Sequence, residues 1–164
     1  EFHGDHFHVS GVRQLPTPVQ RPGPPLWIGG NSLRAVRAAA ARGSAWFPFL
    51  TPPNLGDRVR SPRLDDDLLG RRVDALRRYE LEAGRRPGEV DVIGPHVVIP
   101  AGVGSSESGA RTRDAVRRHV EWLAELGVVG CRLAFTAGSP RELIEDMVWF
   151  ADRIGTRGDE DDRS

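Results

Sequence analysis

Short apolar runs and helix-period segments alternate four times along this chain, around residues 25–43, 45–83, 90–126 and 128–154. Strand followed by helix at that spacing is the signature of βα units, whose strands pair in parallel while the helices cover them. Composition agrees with one such domain: in 164 residues, 38% are hydrophobic and 28% charged, as in an ordinary globular chain with a single core. Alternation alone leaves two architectures open, a barrel wall and a doubly wound sheet.

The helices are readable from their periodicity. Leu33, Val36 and Ala40 mark one side of a segment whose other side carries Arg34, Arg37 and Arg42, and Gly43 ends it. Leu69, Val73, Leu76, Tyr79 and Ala83 recur at threes and fours before Gly84, and Val116, Val120 and Leu123 do so before Gly127. The last helix opens with Ser139-Pro140-Arg141-Glu142, an N-cap, a first-turn proline and a glutamate three residues after the cap. Its stripe of Leu143, Met147, Phe150 and Ile154 is expected in the core. Between helices lie strands at Leu26–Ile28, Ala45–Phe49, Val90–Ile99 with a kink at Gly94-Pro95, and Val128–Phe135. Leu26-Trp27-Ile28 lacks polar alternation and is expected to be buried on both faces.

The stretch that concentrates chemistry is Pro25-Leu26-Trp27-Ile28-Gly29-Gly30-Asn31-Ser32. A strand runs into a glycine pair, which lets the backbone turn without a Cβ in the way, and then into a helix that Asn31 or Ser32 can cap. The first N–H groups of that helix lack intrahelical partners and sit at the positive end of its dipole, which suits an anion, above all a phosphate. The same turn also serves as a plain structural connection.

Other candidates are thinner. His96 lies beside the strand kink, where a substrate contact and a structural role both fit. The Gly/Ser-rich run Gly102 to Gly109 lacks the lysine of a P-loop and reads as a connection. His3, His6 and His8 with Asp5 match no closed zinc spacing, so no metal site is expected. Cys131 stands in an apolar run and reads as a buried, inert thiol. The proline-rich residues 15–25 form a strap, and the long loop from Leu50 to Asp66 falls where a barrel strand should end, a place that often carries substrate-binding segments.

Leu15-Pro16-Thr17-Pro18-Val19-Gln20-Arg21-Pro22, then Pro24 to Ser32, then the Ala/Arg helix ending at Gly43 and Trp46-Phe47-Pro48, resemble the second half of a luciferase-like monooxygenase. Within that superfamily the chain is most similar to probable coenzyme F420-dependent oxidoreductases of actinobacterial type. The similarity runs from Phe2-His3-Gly4-Asp5-His6-Phe7 to Phe150-Ala151-Asp152, and it departs from the usual Gly-Asp-Gly at Gly43-Ser44-Ala45. It implies the C-terminal half of a (β/α)8 barrel, about four parallel strands with outer helices behind an N-terminal hairpin and strap. The resemblance further implies that Ile28, Gly29, Gly30, Asn31 and Ser32 lie against the phosphate of a reduced cofactor, coenzyme F420 or alternatively FMN. Trp46 and Phe47 are candidates to line its ring pocket, His96 to meet substrate, while catalytic groups are expected mainly from the other half of the barrel.

On this reading residues 1–155 form the half-barrel domain and 156–164 an acidic disordered tail. Four strands leave two open edges, so the expected partner is an N-terminal half-barrel or a second copy. The alternatives are an FMN-dependent monooxygenase of the same fold and a non-catalytic half-barrel that binds a phosphorylated ligand or only assembles. Balanced charge, 23 basic residues against 23 acidic, gives no reason to expect nucleic acid or a membrane surface. With no signal-peptide pattern or membrane-length apolar run, the expected location is cytoplasmic.

Overall fold

A computed structural model of the chain describes residues 1–13, 15–49, 62–104 and 110–154. A hairpin, β1 (Phe2–His3) and β2 (His8–Val9), precedes four strand–helix units. These are β3 (Trp27–Gly29) with α1 (Leu33–Arg42), β4 (Ala45–Phe47) with α2 (Asp66–Glu82), β5 (Asp91–Ile99) with α3 (Ala110–Glu125), and β6 (Val128–Phe135) with α4 (Pro140–Arg153). The strands pair in parallel in the order β3-β4-β5-β6. A doubly wound sheet reverses its strand order at a switch point, whereas a barrel wall adds each strand beside the last. The strictly sequential order therefore selects the barrel wall.

Register assigns the two faces. Ile28 pairs with Trp46 and Trp46 with Val92, and this row turns toward the helices together with Val97 and Ile99. It packs on Val36, Ala39 and Ala40 of α1, Leu69, Val73 and Leu76 of α2, and Val116 and Leu123 of α3. Alternation sends Trp27, Phe47, Val98 and Arg132 to the opposite, inner face. The predicted kink at Gly94-Pro95 is present as register shifts between Val92 and His96, across which β5 continues to Ile99.

The expectation that Leu26-Trp27-Ile28 is covered on both faces is corrected by the structure. Trp27 is 57% exposed and Leu26 53%, because β3 is an edge of the sheet and its inner face has no facing wall among the described residues. Leu33, placed on the core stripe of α1, is likewise exposed.

A second correction concerns α4. Met147 is 49% exposed, alongside Ile144 and Val148, and the aromatic residues Trp149 and Phe150 are only half-buried. The inward position belongs instead to the fully buried Asp146, while Phe150 meets Phe135 of β6 edge-on at 6.4 Å. α4 covers the edge strand β6, so most of its apolar stripe points past the sheet. Its start is as predicted: Ser139 Oγ accepts from Glu142 N (3.2 Å), and Glu142 Oε2 accepts from Gly138 N (2.7 Å).

Buried carboxylates hold the connections. Glu80 is fully buried, and its Oε1 accepts from Val90 N (2.6 Å) while Oε2 accepts from Gly88 N (3.0 Å) and Arg77 Nη1 (3.2 Å), fixing the turn into β5. Residues 50–61 of the expected Leu50–Asp66 loop, residues 105–109 and the tail at 156–164 lie outside the described residues.

Candidate functional site

The turn from β3 to α1 is built as the glycine pair requires. Gly30 has φ +124°, a conformation that side-chain-bearing residues rarely adopt, and a Cβ there would lie 3.0 Å from Ala35 Cβ. Its N–H donates to Phe47 O (3.2 Å), and its carbonyl accepts from Trp46 Nε1 (2.8 Å). The buried indole of Trp46 thus supports the turn from the helix side of the sheet, with Ile28 half-buried in the same row.

Ser32, rather than Asn31, caps α1. Its Oγ accepts from Ala35 N (3.2 Å) and its carbonyl from Val36 N (3.1 Å). The N–H groups of Leu33 and Arg34, first in the helix, have no helical carbonyl four residues before them, and the Ser32 hydroxyl keeps its own hydrogen to donate. Those three donors belong to the first turn, at the positive end of the α1 dipole, with no acidic side chain there to compete.

Asn31 is the knot behind this surface. It is fully buried; Nδ2 donates to Phe49 O (2.8 Å) and Pro62 O (2.9 Å), and Oδ1 accepts from Phe49 N (3.1 Å). Its carbonyl accepts from Nε of Arg72 on α2 (2.9 Å). One amide therefore ties the turn to the end of the β4 segment and to the approach to α2. Nothing in the spacing of Arg72, 41 residues on, announces that contact.

The structure brings Gly29, Gly30, Asn31, Ser32, Trp46 and Phe47 into one cluster. Phe47 is half-buried on the inner face, its ring 6.3 Å from that of Trp27 and 4.6 Å from the guanidinium of Arg132 on β6. Arg132, which sequence reading passed over, forms no ion pair among the described residues. It adds a cation to an aromatic surface. His96 is placed by its backbone alone, in β5 opposite Arg132.

The Gly102–Gly104 backbone, read as a connection, is held by an internal anion. Asp146 Oδ2 accepts from Gly102 N (3.1 Å) and Oδ1 from Gly104 N (2.7 Å). Cys131 is half-buried and burial pushes its thiol up from the ordinary value, as for a thiol outside any nucleophilic site. In the hairpin His3 and His8 face each other, Nδ1 to Nδ1 at 3.4 Å. No helix among the described residues is long and apolar enough to cross a membrane.

A sequential parallel βα wall with a capped glycine turn after its first strand is part of a (β/α)8 barrel. Residues 1–139 match the family described as luciferase-like monooxygenase, and the chain belongs to that family. Among solved structures it resembles an F420-dependent secondary alcohol dehydrogenase in complex with an F420-acetone adduct, at 12% identity and TM-score 0.62, covering 96% of this chain and 56% of that one. It also resembles the monooxygenase RslO1 from Streptomyces bottropensis, at 17% identity and TM-score 0.58, covering 93% of this chain and 54% of the other. The chain thus spans little more than half the length of either. The matched family is described as luciferase-like monooxygenase, and the two solved structures that share the fold are an F420-dependent dehydrogenase and a monooxygenase.

Proposed function

We propose that this chain supplies the cofactor-phosphate site and one wall of the ring pocket of an oxidoreductase in which reduced coenzyme F420 delivers hydride to an organic substrate. The supporting observation is the β3–α1 turn: Gly30 in a positive-φ conformation that lets the chain turn tightly against Ala35, Ser32 capping, and the Leu33 and Arg34 donors on one helix end. The solved F420-dependent dehydrogenase of the same fold favours F420 over FMN.

The bound deazaflavin would supply the hydride chemistry, and the protein's share is binding, orientation and exclusion of water. Leu33 N, Arg34 N and the Ser32 hydroxyl would hold the phosphate, Asn31 and Trp46 keep those donors in place, and Trp27, Phe47 and Arg132 offer an aromatic, cationic wall. The open edges at β3 and β6 call for the complementary half-barrel as partner, in the domain arrangement of 1–155 followed by an acidic tail. FMN binding in the same turn is the second reading, since both cofactors carry a phosphate there.

The experiment is a fluorescence titration of the whole protein with F420 and with FMN, for the parent and Ser32→Ala. Losing one hydrogen bond to a charged group, about 1.5–3 kcal/mol, weakens binding roughly 10- to 100-fold. Parent-like binding by Ser32→Ala would remove the turn from the site.

A further inference from the structure

We propose a second ligand site, for a small organic oxyanion with a planar apolar body, in the cleft between α3 and α4. This cleft, open to solvent, has a volume of about 420 Å³ and is lined by Gly104, Arg113, Asp114, Arg117, Trp149 and Arg153, within the range of roughly 300–1,000 Å³ usual for small-molecule pockets. It covers the β5–β6 end of the sheet, whereas the cofactor turn lies at the β3 end.

Its lining is chemically specific. Three arginines, one carboxylate, Asp114, and one half-buried indole line this part of the cleft. Arg117 and Arg153 form no ion pair among the described residues, so their charge is available to an incoming anion. Planar guanidinium forks match the oxygens of phosphate and carboxylate, and an indole face accepts a ring. A second lobe of about 400 Å³ shares Gly104, Trp149 and Arg153 and continues over Ile144 and Val148, where the apolar body would lie; Asp152 and Glu145, the latter paired with Arg141 at 2.9 Å, also line it.

The walls are already set. Asp146 fastens Gly102 N and Gly104 N to α4, and Arg113 Nη1 donates to Val103 O (3.2 Å), joining α3 to the same segment. A side chain at Gly104 would meet the Glu145 backbone, its carbonyl carbon only 2.7 Å from the added Cβ. The backbone at Gly104 therefore sits tight against α4. A pocket whose walls are fixed before the ligand arrives loses little entropy on binding.

All the residues named are in this chain, so the 164-residue protein itself is the test object. Phenyl phosphate and benzoate serve as probes in calorimetric titrations at low ionic strength, with uncharged benzyl alcohol as control. Saturable binding of either anion, absent for benzyl alcohol and at least 10-fold weaker in Arg117→Gln/Arg153→Gln, is expected, with far-UV circular dichroism unchanged. Trp149→Phe should weaken the probes less than the double variant does. Ser32→Ala should leave their binding intact; if it abolishes binding while the double variant does not, the probes occupy the cofactor turn and this site is overturned. Absence of saturable binding, or equal binding by parent and double variant, overturns it too. Neither result bears on cofactor binding at the β3–α1 turn.

Discussion

Asn31→Ala isolates the knot that shapes the candidate cofactor turn. Among the described residues the amide makes hydrogen bonds at 2.8, 2.9 and 3.1 Å, from a position with no exposure. Truncation leaves Pro62 O, which is exposed and rehydrates, and the N–H and carbonyl of half-buried Phe49, which rehydrate incompletely. At about 1–3 kcal/mol for each buried group left unpaired, the loss is about 2–4 kcal/mol. A domain has only about 5–15 kcal/mol in total, so the change is a large fraction of stability. In urea, with a slope of roughly 2 kcal/mol/M, the midpoint falls by about 1–2 M at fixed protein concentration. Asn31→Asp adds a sign test, because it sets a carboxylate against two carbonyl oxygens. Its folded-state pKa is then raised above the unfolded value of about 3.9, so stability is fully present below that pH and is lost as pH rises through the folded pKa. A midpoint shift in Asn31→Ala below about 0.3 M, or an Asn31→Asp protein more stable at neutral than at acid pH, would refute the role given to this amide.

Asp146→Ala removes the acceptor of Gly102 N and Gly104 N from a buried site, and a loss of about 2–4 kcal/mol is expected with faster amide exchange at Gly104; unchanged exchange would contradict it. Cys131, its thiol raised by burial, should react with iodoacetamide at pH 8 more slowly than free cysteine and catch up only on unfolding; reaction at the free rate would contradict its burial. The 164-residue chain, with β3 and β6 as open edges and Trp27, Val129 and Ile144 exposed, should self-associate; light scattering from a compact monomer at high concentration would contradict that.

What the sequence disclosed and what it concealed follow from the range of the interactions. Helix boundaries and caps are local: Ser139 with Pro140 and Glu142, and the stripe of Leu69, Val73 and Leu76, lie where their spacing puts them. The glycine turn is local too, so a tight turn at Gly29-Gly30 was legible and the cap was narrowed to Asn31 or Ser32, of which the fold uses Ser32. Choosing a barrel wall over a doubly wound sheet needed the strand order, which no single segment contains. Trp27 and Met147 were misplaced because hydrophobicity states what a side chain prefers to meet, not whether a neighbour is there to meet it. Asp146, Arg72 and Arg132 were missed for a related reason. Each is an ordinary charged residue on a helix or strand until folding sets it against the Gly102–Gly104 backbone, the Asn31 carbonyl or the Phe47 ring. Their signal is a contact across 41 to 85 positions of chain.

The central claim is that cofactor phosphate rests on the N-terminal donors of α1. Amide ¹H–¹⁵N spectra of the whole protein, recorded while F420 and then FMN are added, test it directly. Saturable downfield shifts at Leu33 and Arg34, reached only at roughly 10- to 100-fold higher cofactor concentration in Ser32→Ala, are the expected result. Cofactor that binds with Leu33 and Arg34 unmoved would contradict the claim.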